Sequence, residues 1–272
     1  MGGAAHLVNF MGTDTVEAVK FIMDEYSAGV VGYSVMASEH STTTIYGKAG
    51  ECIAFSRFLD ECPDDAILSI VIDSYNDENA VKNILGGILK DRILSRAGKV
   101  VFRPDSGDVY TKPIEVVKWL WDIFGGTINS KGFKVLNPKS RVLQGDGIDI
   151  NSIKIILKNL TDAGFATECL IFGCGGGLLQ HVNRDTMKWA LKCSYAKIDG
   201  KDVNVFKEPK TDAGKTSKKG TLFVEKREDG TYTTHEEGTA PEGVSDVLQT
   251  VFLNGEVVRA YTFEEVRTNA KL

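Results

Sequence analysis

The chain has 272 residues, 42% hydrophobic and 25% charged, an average globular composition that argues against disordered, collagen-like and membrane classes. Its formal charge of −5 is the wrong sign for a protein that grips nucleic acid by neutralising phosphates. The five cysteines, Cys52, Cys62, Cys169, Cys174 and Cys193, form no C-x-x-C pair, so neither a disulfide framework nor a zinc site is indicated and a reducing cytoplasm is expected.

No apolar run approaches the ~20 residues that span a bilayer, and Met1 to His6 carries no signal-peptide core. Asp14 and Glu17 are expected to form a capping box for a first amphipathic helix bearing Val16, Val19, Ile22, Met23 and Tyr26 on one face, with Gly29 expected to end it. A second helical stretch is expected from about Ser41 to Leu59. The run Ile67-Leu68-Ser69-Ile70-Val71-Ile72 is apolar on both faces, as in a buried parallel strand, and Asp73-Ser74-Tyr75 closes it.

The same grammar recurs further on. Lys99-Val100-Val101-Phe102 runs into Arg103-Pro104-Asp105-Ser106-Gly107-Asp108, and Arg141-Val142-Leu143 into Gln144-Gly145-Asp146-Gly147-Ile148-Asp149. Cys169-Leu170-Ile171-Phe172 then runs into Gly173-Cys174-Gly175-Gly176-Gly177. Helical patterns such as Ile114 to Ile123 and Ile150 to Leu160 separate the strands, the alternation of a parallel sheet or barrel. After about Tyr195 the texture changes to short strands with Asp229-Gly230 and Asn254-Gly255 turns, before a last helix capped by Thr262 and Glu265.

Parallel α/β proteins bind ligands where the carboxyl ends of their strands converge. Strand ends carrying Asp73, Asp105, Asp146 and the 173–177 glycines therefore point to one site. The glycines let backbone N–H groups approach a phosphate at a helix start near Leu178, although a tight turn accounts for them equally. They are not a dinucleotide fingerprint, because Leu178 stands where that needs glycine, and Ala213-Gly214-Lys215-Thr216 is not a Walker motif, because Pro209 holds its leading position.

Arg103, Asp105 and Ser106 place a cation, a carboxylate and a hydroxyl on one turn, a set suited to a phosphorylated sugar or to Mg²⁺, with a solvated turn and a local ion pair as the alternative. Gln144-Gly145-Asp146-Gly147 repeats the idea, with an ordinary turn as its alternative. His40 stands before a helix beside Glu39, which could orient it; a capping histidine is the commoner outcome of such a placement. Lys207, Lys215, Lys218 and Lys219 form a cationic loop that matters only if polyanion chemistry lies near.

Taken in order, Ala5-His6-Leu7-Val8-Asn9-Phe10, Gly32-Tyr33-Ser34-Val35, Glu39-His40-Ser41-Thr42, Asp73-Ser74-Tyr75, Arg103-Pro104-Asp105-Ser106-Gly107, Gln144-Gly145-Asp146-Gly147, Phe172 to Gln180 and Lys192-Cys193-Ser194-Tyr195 resemble the nicotinamide phosphoribosyltransferase family. The resemblance implies an α/β fold, a parallel-strand TIM-like barrel portion of a type II phosphoribosyltransferase over 1–196, with a β-rich C-terminal segment over 197–272. It implies joining nicotinamide to 5-phosphoribosyl 1-pyrophosphate to give nicotinamide mononucleotide and pyrophosphate, with Mg²⁺ and with ATP phosphorylating His40.

By the same resemblance Arg103 contacts the substrates, Asp105 and Asp146 the ribose hydroxyls, and Gly145, Gly175, Gly176 and Arg184 the phosphates. Asp73 and Asp105 support Mg²⁺ directly or through water, and Lys192, Lys207 and Lys215 reach the phosphates of a neighbouring subunit's site, which implies a dimer. Met36 departs from the family, which has proline there. The likeness starts at the family's second half, so the aromatic residues around the nicotinamide ring and much of the dimer surface are expected from a first half or a partner chain. Two alternatives stay open: a non-catalytic module that binds phosphoribosyl pyrophosphate or nucleotide, and nicotinate as the base.

Overall fold

The computed structural model describes residues 2–181, 183–184, 190–211 and 213–271. The chain divides into two units, Met1–Val182 with Phe263–Leu272, and Asn183–Thr262. In chain order the first unit holds α1 (Gly2–Asn9), α2 (Val16–Glu25), β1 (Met36–Ala37), α3 (His40–Thr44), α4 (Glu51–Glu61), β2 (Leu68–Val71) and α5 (Asp77–Asn79), which runs into a π-helix, Ala80–Ile88. It continues with α6 (Lys90–Ser95), β3 (Val100–Arg103), α7 (Lys112–Phe124), a hairpin of β4 (Gly126–Ile128) and β5 (Lys134–Leu136), β6 (Ser140–Gln144), α8 (Ile150–Asp162), β7 (Leu170–Phe172) and α9 (Gly176–Leu179).

Strands β1, β2, β3, β6 and β7 form one parallel sheet in that spatial order. Each new strand is added on the same side as the last, which is how a β/α barrel grows; a doubly wound sheet reverses its order at a switch point. The expected α/β barrel portion is thus present, and every loop after a strand opens at the same edge.

Burial follows the sequence pattern. All four residues of β2 are buried, as are Val100, Val101 and Phe102 of β3, because helices cover the sheet. Val81 and Leu85 of the π-helix, Val117 and Leu120 of α7, and Ile156 and Leu160 of α8 complete that core. Each such side chain contributes ~1.5–3 kcal/mol of transfer free energy, and truncating Phe102 to alanine costs about 3–5 kcal/mol.

Three local expectations change. The helix over 16–25 has Thr15 at its N-cap with no side-chain cap bond, and Asp14 instead accepts from the Ser34 hydroxyl, so there is no Asp14–Glu17 capping box. The expected helix from Ser41 to Leu59 is broken at Gly47, whose φ of +66° no helix accommodates, into α3, a 3₁₀ turn at Lys48–Gly50 and α4. The unforeseen α1 buries Ala4 and Leu7 against Ala18, Ile22 and Phe263.

In the second unit, β8 (Tyr195–Ile198) pairs with β9 (Lys201–Asn204), β10 (Phe223–Lys226) with β11 (Tyr232–His235), and β12 (Phe252–Leu253) with β13 (Glu256–Val257), all antiparallel. Asn254 and Gly255 both have positive φ, the signature of a type I′ hairpin turn. Helix α10 (Phe263–Ala270) belongs to the first unit, where the Arg267 guanidinium donates to the carbonyls of Leu7 and Val31 at 3.0 and 2.7 Å. Among the described residues no helix is long and apolar enough to cross a membrane.

Candidate active site

The loops after β1, β2 and β3 are tied together by Ser38, buried one residue past β1. Its N–H donates to the Ser69 carbonyl at 2.8 Å, its hydroxyl oxygen accepts from the Val71 N–H at 2.9 Å, and its carbonyl accepts from an Arg103 Nη at 2.6 Å. Arg103 therefore leans across the strand ends towards β1 and makes no ion pair with Asp105, contrary to the local pairing weighed from the motif. Its buried Nε has no partner among the described residues.

Helix α3 then places His40. Glu39 is its N-cap: the carboxylate accepts from the Ser41 N–H at 2.8 Å and from the Ser41 hydroxyl, and Thr42 closes the box by accepting from the Glu39 N–H. Those bonds, the Ser41 hydroxyl first, hold the Glu39 carboxyl below the usual carboxylate range. Glu39 is thus occupied with the helix start, and the expectation that it orients His40 is corrected.

Asp73 takes that role. Its Oδ1 lies 3.1 Å from His40 Nε2, and its Oδ2 accepts from the Ser106 hydroxyl at 2.5 Å. The Asp73 side chain is only 9% exposed against 39% for His40, so the carboxylate lies behind a ring that faces solvent. This line joins the loops after β2 and β3 to the start of α3. A chain of donor and acceptor in this order fixes the ring's orientation; in the neutral imidazole it puts the proton on Nε2 and the lone pair on Nδ1.

Asp105 and Asp146 are exposed, and no hydrogen bond or ion pair engages either carboxylate among the described residues. They adjoin through glycine: a Cβ built on Gly145 would lie 4.0 Å from Asp105 Oδ1, and one on Gly173 would lie 3.5 Å from the Gly145 Cα. The sheet edge thus collects Ser38, His40, Asp73, Arg103, Asp105, Ser106, Gly145, Asp146 and Gly173. A methyl group on Gly175 would meet nothing within 4 Å, and one on Gly176 would meet only Gln180, so the backbone there is open to an approaching group. Gly177 differs, since its Cβ would sit 2.6 Å from the Ile148 carbonyl oxygen.

No group of three His, Cys, Asp or Glu side chains suited to a metal occurs among the described residues. The two carboxylates expected to support Mg²⁺ are unlike: Asp73 already engages both its oxygens, while Asp105 engages neither. Mg²⁺ retains much of its water and takes few carboxylates, so this pair fits an ion held largely by water and substrate oxygens.

Arg184, Lys192, Lys207 and Lys215 belong to the second unit, and all four are exposed. Lys207 is anchored through its backbone, whose N–H donates to the Ser217 hydroxyl at 2.9 Å and whose carbonyl accepts from the Ser217 N–H at 3.0 Å. The Ser194 carbonyl accepts from both Val205 and Gly220, each at 2.8 Å, which closes the base of the lysine loop. Ser38, the oxygen-rich tie between three strands, was not legible in the sequence; Ser106 was legible as a hydroxyl in the Arg103 loop, but its partner was not.

A model of the nicotinate phosphoribosyltransferase (NAPRTase) family matches residues 1–256. Two curated proteins named nicotinamide phosphoribosyltransferase are similar: one from Xanthomonas campestris pv. campestris is 43% identical over 99% of this chain and 58% of its own length, and one from Acinetobacter baylyi is 35% identical over 97% and 56%. The chain thus spans a little over half the length of these relatives. The crystal structure of nicotinate-nucleotide pyrophosphorylase from Pyrococcus furiosus superposes with a TM-score of 0.58 at 17% identity, covering 94% of this chain and 56% of that one, a likeness of fold. With a family match over nearly its whole length, on a barrel sheet whose strand ends gather these side chains, the chain belongs to the nicotinate phosphoribosyltransferase family.

Proposed function

We propose that this chain carries the phosphoribosyl pyrophosphate and ATP side of a nicotinamide phosphoribosyltransferase, joining nicotinamide to 5-phosphoribosyl 1-pyrophosphate to give nicotinamide mononucleotide and pyrophosphate. The observation that carries the reading is Asp73 held between His40 and Ser106 at the strand ends, next to the carboxylates of Asp105 and Asp146, which nothing engages among the described residues. The names of the similar curated proteins favour nicotinamide over nicotinate as the base.

In this reading Asp105 and Asp146 accept hydrogen bonds from the ribose hydroxyls, and Arg103 meets the substrates beside them. The backbone N–H groups of Gly145, Gly175 and Gly176 face the phosphate end. Displacement at the anomeric carbon leaves growing negative charge on the departing pyrophosphate, where cations act best. Arg184, Lys192, Lys207 and Lys215 supply that charge, the lysines from a neighbouring subunit of a dimer or from an assembly with a partner chain. Mg²⁺, supported by Asp73 and Asp105 directly or through water, would neutralise the phosphate oxygens when bound.

His40 acts as the nucleophile towards ATP. With its Nε2 proton donated to Asp73, Nδ1 attacks the γ-phosphorus; the N–P bond forms as the bond to the departing ADP oxygen breaks. Five free thiols and the cytoplasmic setting expected from them accord with this chemistry.

Incubation with γ-labelled ATP and Mg²⁺ tests the reading: acid-labile label on the wild-type chain, absent from His40→Ala, is the expected result. Label on neither protein, with phosphoribosyl pyrophosphate present, would remove the ATP side of the proposal, and binding without any turnover on addition of nicotinamide would favour a non-catalytic module.

A further inference from the structure

Gln144, the last residue of β6, is 3% exposed, yet it carries a polar side chain into the core edge directly beneath the site. Its Nε2 donates to the Asp146 carbonyl at 3.0 Å, while its buried Oε1 has no partner among the described residues. Its backbone carbonyl accepts from the Gly173 N–H at 2.9 Å. One residue therefore clamps two neighbouring loops, the Gly145–Gly147 turn by its side chain and the start of the glycine loop by its main chain. A buried amide is costly unless its bonds are made, so an apolar residue would suit this place better on packing alone.

From this geometry we infer that Gln144 is a positioning residue that holds the Asp146 turn and so aims the Asp146 carboxylate at the ribose of the phosphoribosyl substrate. The inference rests on the proposed role of Asp146 in substrate binding. The amide's orientation follows from the same bond, because a flipped amide would set Oε1 against the Asp146 carbonyl oxygen. Among the described residues nothing else polar uses the side chain, so its one hydrogen bond is the whole of its polar work. Gly147, at φ +65° and with a Cβ position 3.4 Å from Val109, completes a turn that has few other ways to fold.

Two near-isosteric variants separate the clamp from packing. Q144M keeps the volume and removes the donor; Q144E keeps the shape and, when ionised, points an acceptor at a carbonyl. Calorimetric titration with phosphoribosyl pyrophosphate and Mg²⁺ is expected to show affinity lowered about fivefold in Q144M, the size of one net hydrogen bond, and in Q144E a loss that deepens as pH rises and the buried carboxyl ionises. The melting temperature of Q144M is expected to match or exceed that of the wild type, which a purely structural glutamine would not allow.

In an Asp146→Ala background the Q144M effect on affinity is expected to shrink, the remainder belonging to the Gly145 N–H carried by the same turn. Hydrogen exchange reads the clamp without ligand: amides of 145–148 should exchange faster in both variants, with those of 140–143 unchanged. Wild-type affinity retained in both variants, or an undiminished Q144M effect without the Asp146 side chain, would overturn the inference. If the wild type binds no phosphoribosyl pyrophosphate, the functional reading fails, and unchanged exchange at 145–148 would then overturn the clamp as well.

Discussion

Asp73 and His40 stand 33 residues apart in the chain and meet with Oδ1 3.1 Å from Nε2, the aspartate nearly buried and the imidazole half open. Asp73→Asn keeps the size but removes the charge that holds the Nε2 proton, and an amide can present either donor or acceptor to the ring. Phosphorylation of His40 by ATP is expected to slow about 10- to 100-fold, the worth of one charge-assisted hydrogen bond. Stopped-time labelling would measure it; an unchanged rate would mean the ring is oriented by something else.

Glu39 caps the helix that begins at His40, so its loss should act more weakly and through order, not chemistry. Glu39→Ala is expected to slow labelling less than Asp73→Asn does, and Glu39→Gln, which retains an acceptor, less again. Because the folded carboxyl is held below its ordinary value, its stabilising contribution is complete above that value and is lost as pH falls through the folded one. Melting of wild type and Glu39→Gln from about pH 6 down to about pH 3 should therefore converge at the acid end.

Gly175 and Gly177 give a paired test of the glycine loop. A methyl on Gly177 would meet the Ile148 carbonyl oxygen at 2.6 Å, so Gly177→Ala should lower the melting temperature. A methyl on Gly175 meets nothing within 4 Å, so Gly175→Ala should melt like the wild type while binding phosphoribosyl pyrophosphate more weakly. Unimpaired binding by Gly175→Ala would take the phosphate away from that turn.

Glu51 opens α4 with 2% of its surface exposed and an Oε1 that has no partner among the described residues. Burial pushes its carboxyl up, against a smaller opposing pull from Lys48. The folded state thus holds the proton more tightly than the unfolded state, so stability falls as pH rises above the ordinary glutamate value through the raised one. Glu51→Gln removes that loss, so near neutral pH its melting temperature should lie above that of the wild type, with the gap closing as pH falls below the ordinary glutamate value. A lower melting temperature would mean that the carboxylate has a use in the folded protein.

The strands and the loops behind them were legible because both signals are local: the apolar runs around Ile70, Phe102, Val142 and Ile171 need no partner to be recognised, and polar residues follow each at once. The break at Gly47 was not, since the stretch 41–59 keeps helical composition on both sides of one residue with positive φ. Helix α1 is short and takes its stability from Ile22 and Phe263, contacts that no window of sequence contains. Among the site residues, His40, Asp73, Arg103, Asp105 and Asp146 could be named in advance, but their pairings could not. Adjacency suggested Glu39 for His40, and the parallel register put Asp73 there instead, because β2 delivers its end beside the start of α3.

The central claim is that the strand ends form a phosphoribosyl pyrophosphate site, and calorimetric titration of that ligand with Mg²⁺ into the wild-type chain, Asp105→Ala and Asp146→Ala tests it most directly. The account predicts saturable binding to the wild type and clear loss of affinity in both variants, with melting temperatures unchanged because neither carboxylate is engaged among the described residues. Absence of binding to the wild type, or equal affinity in all three proteins, would contradict it.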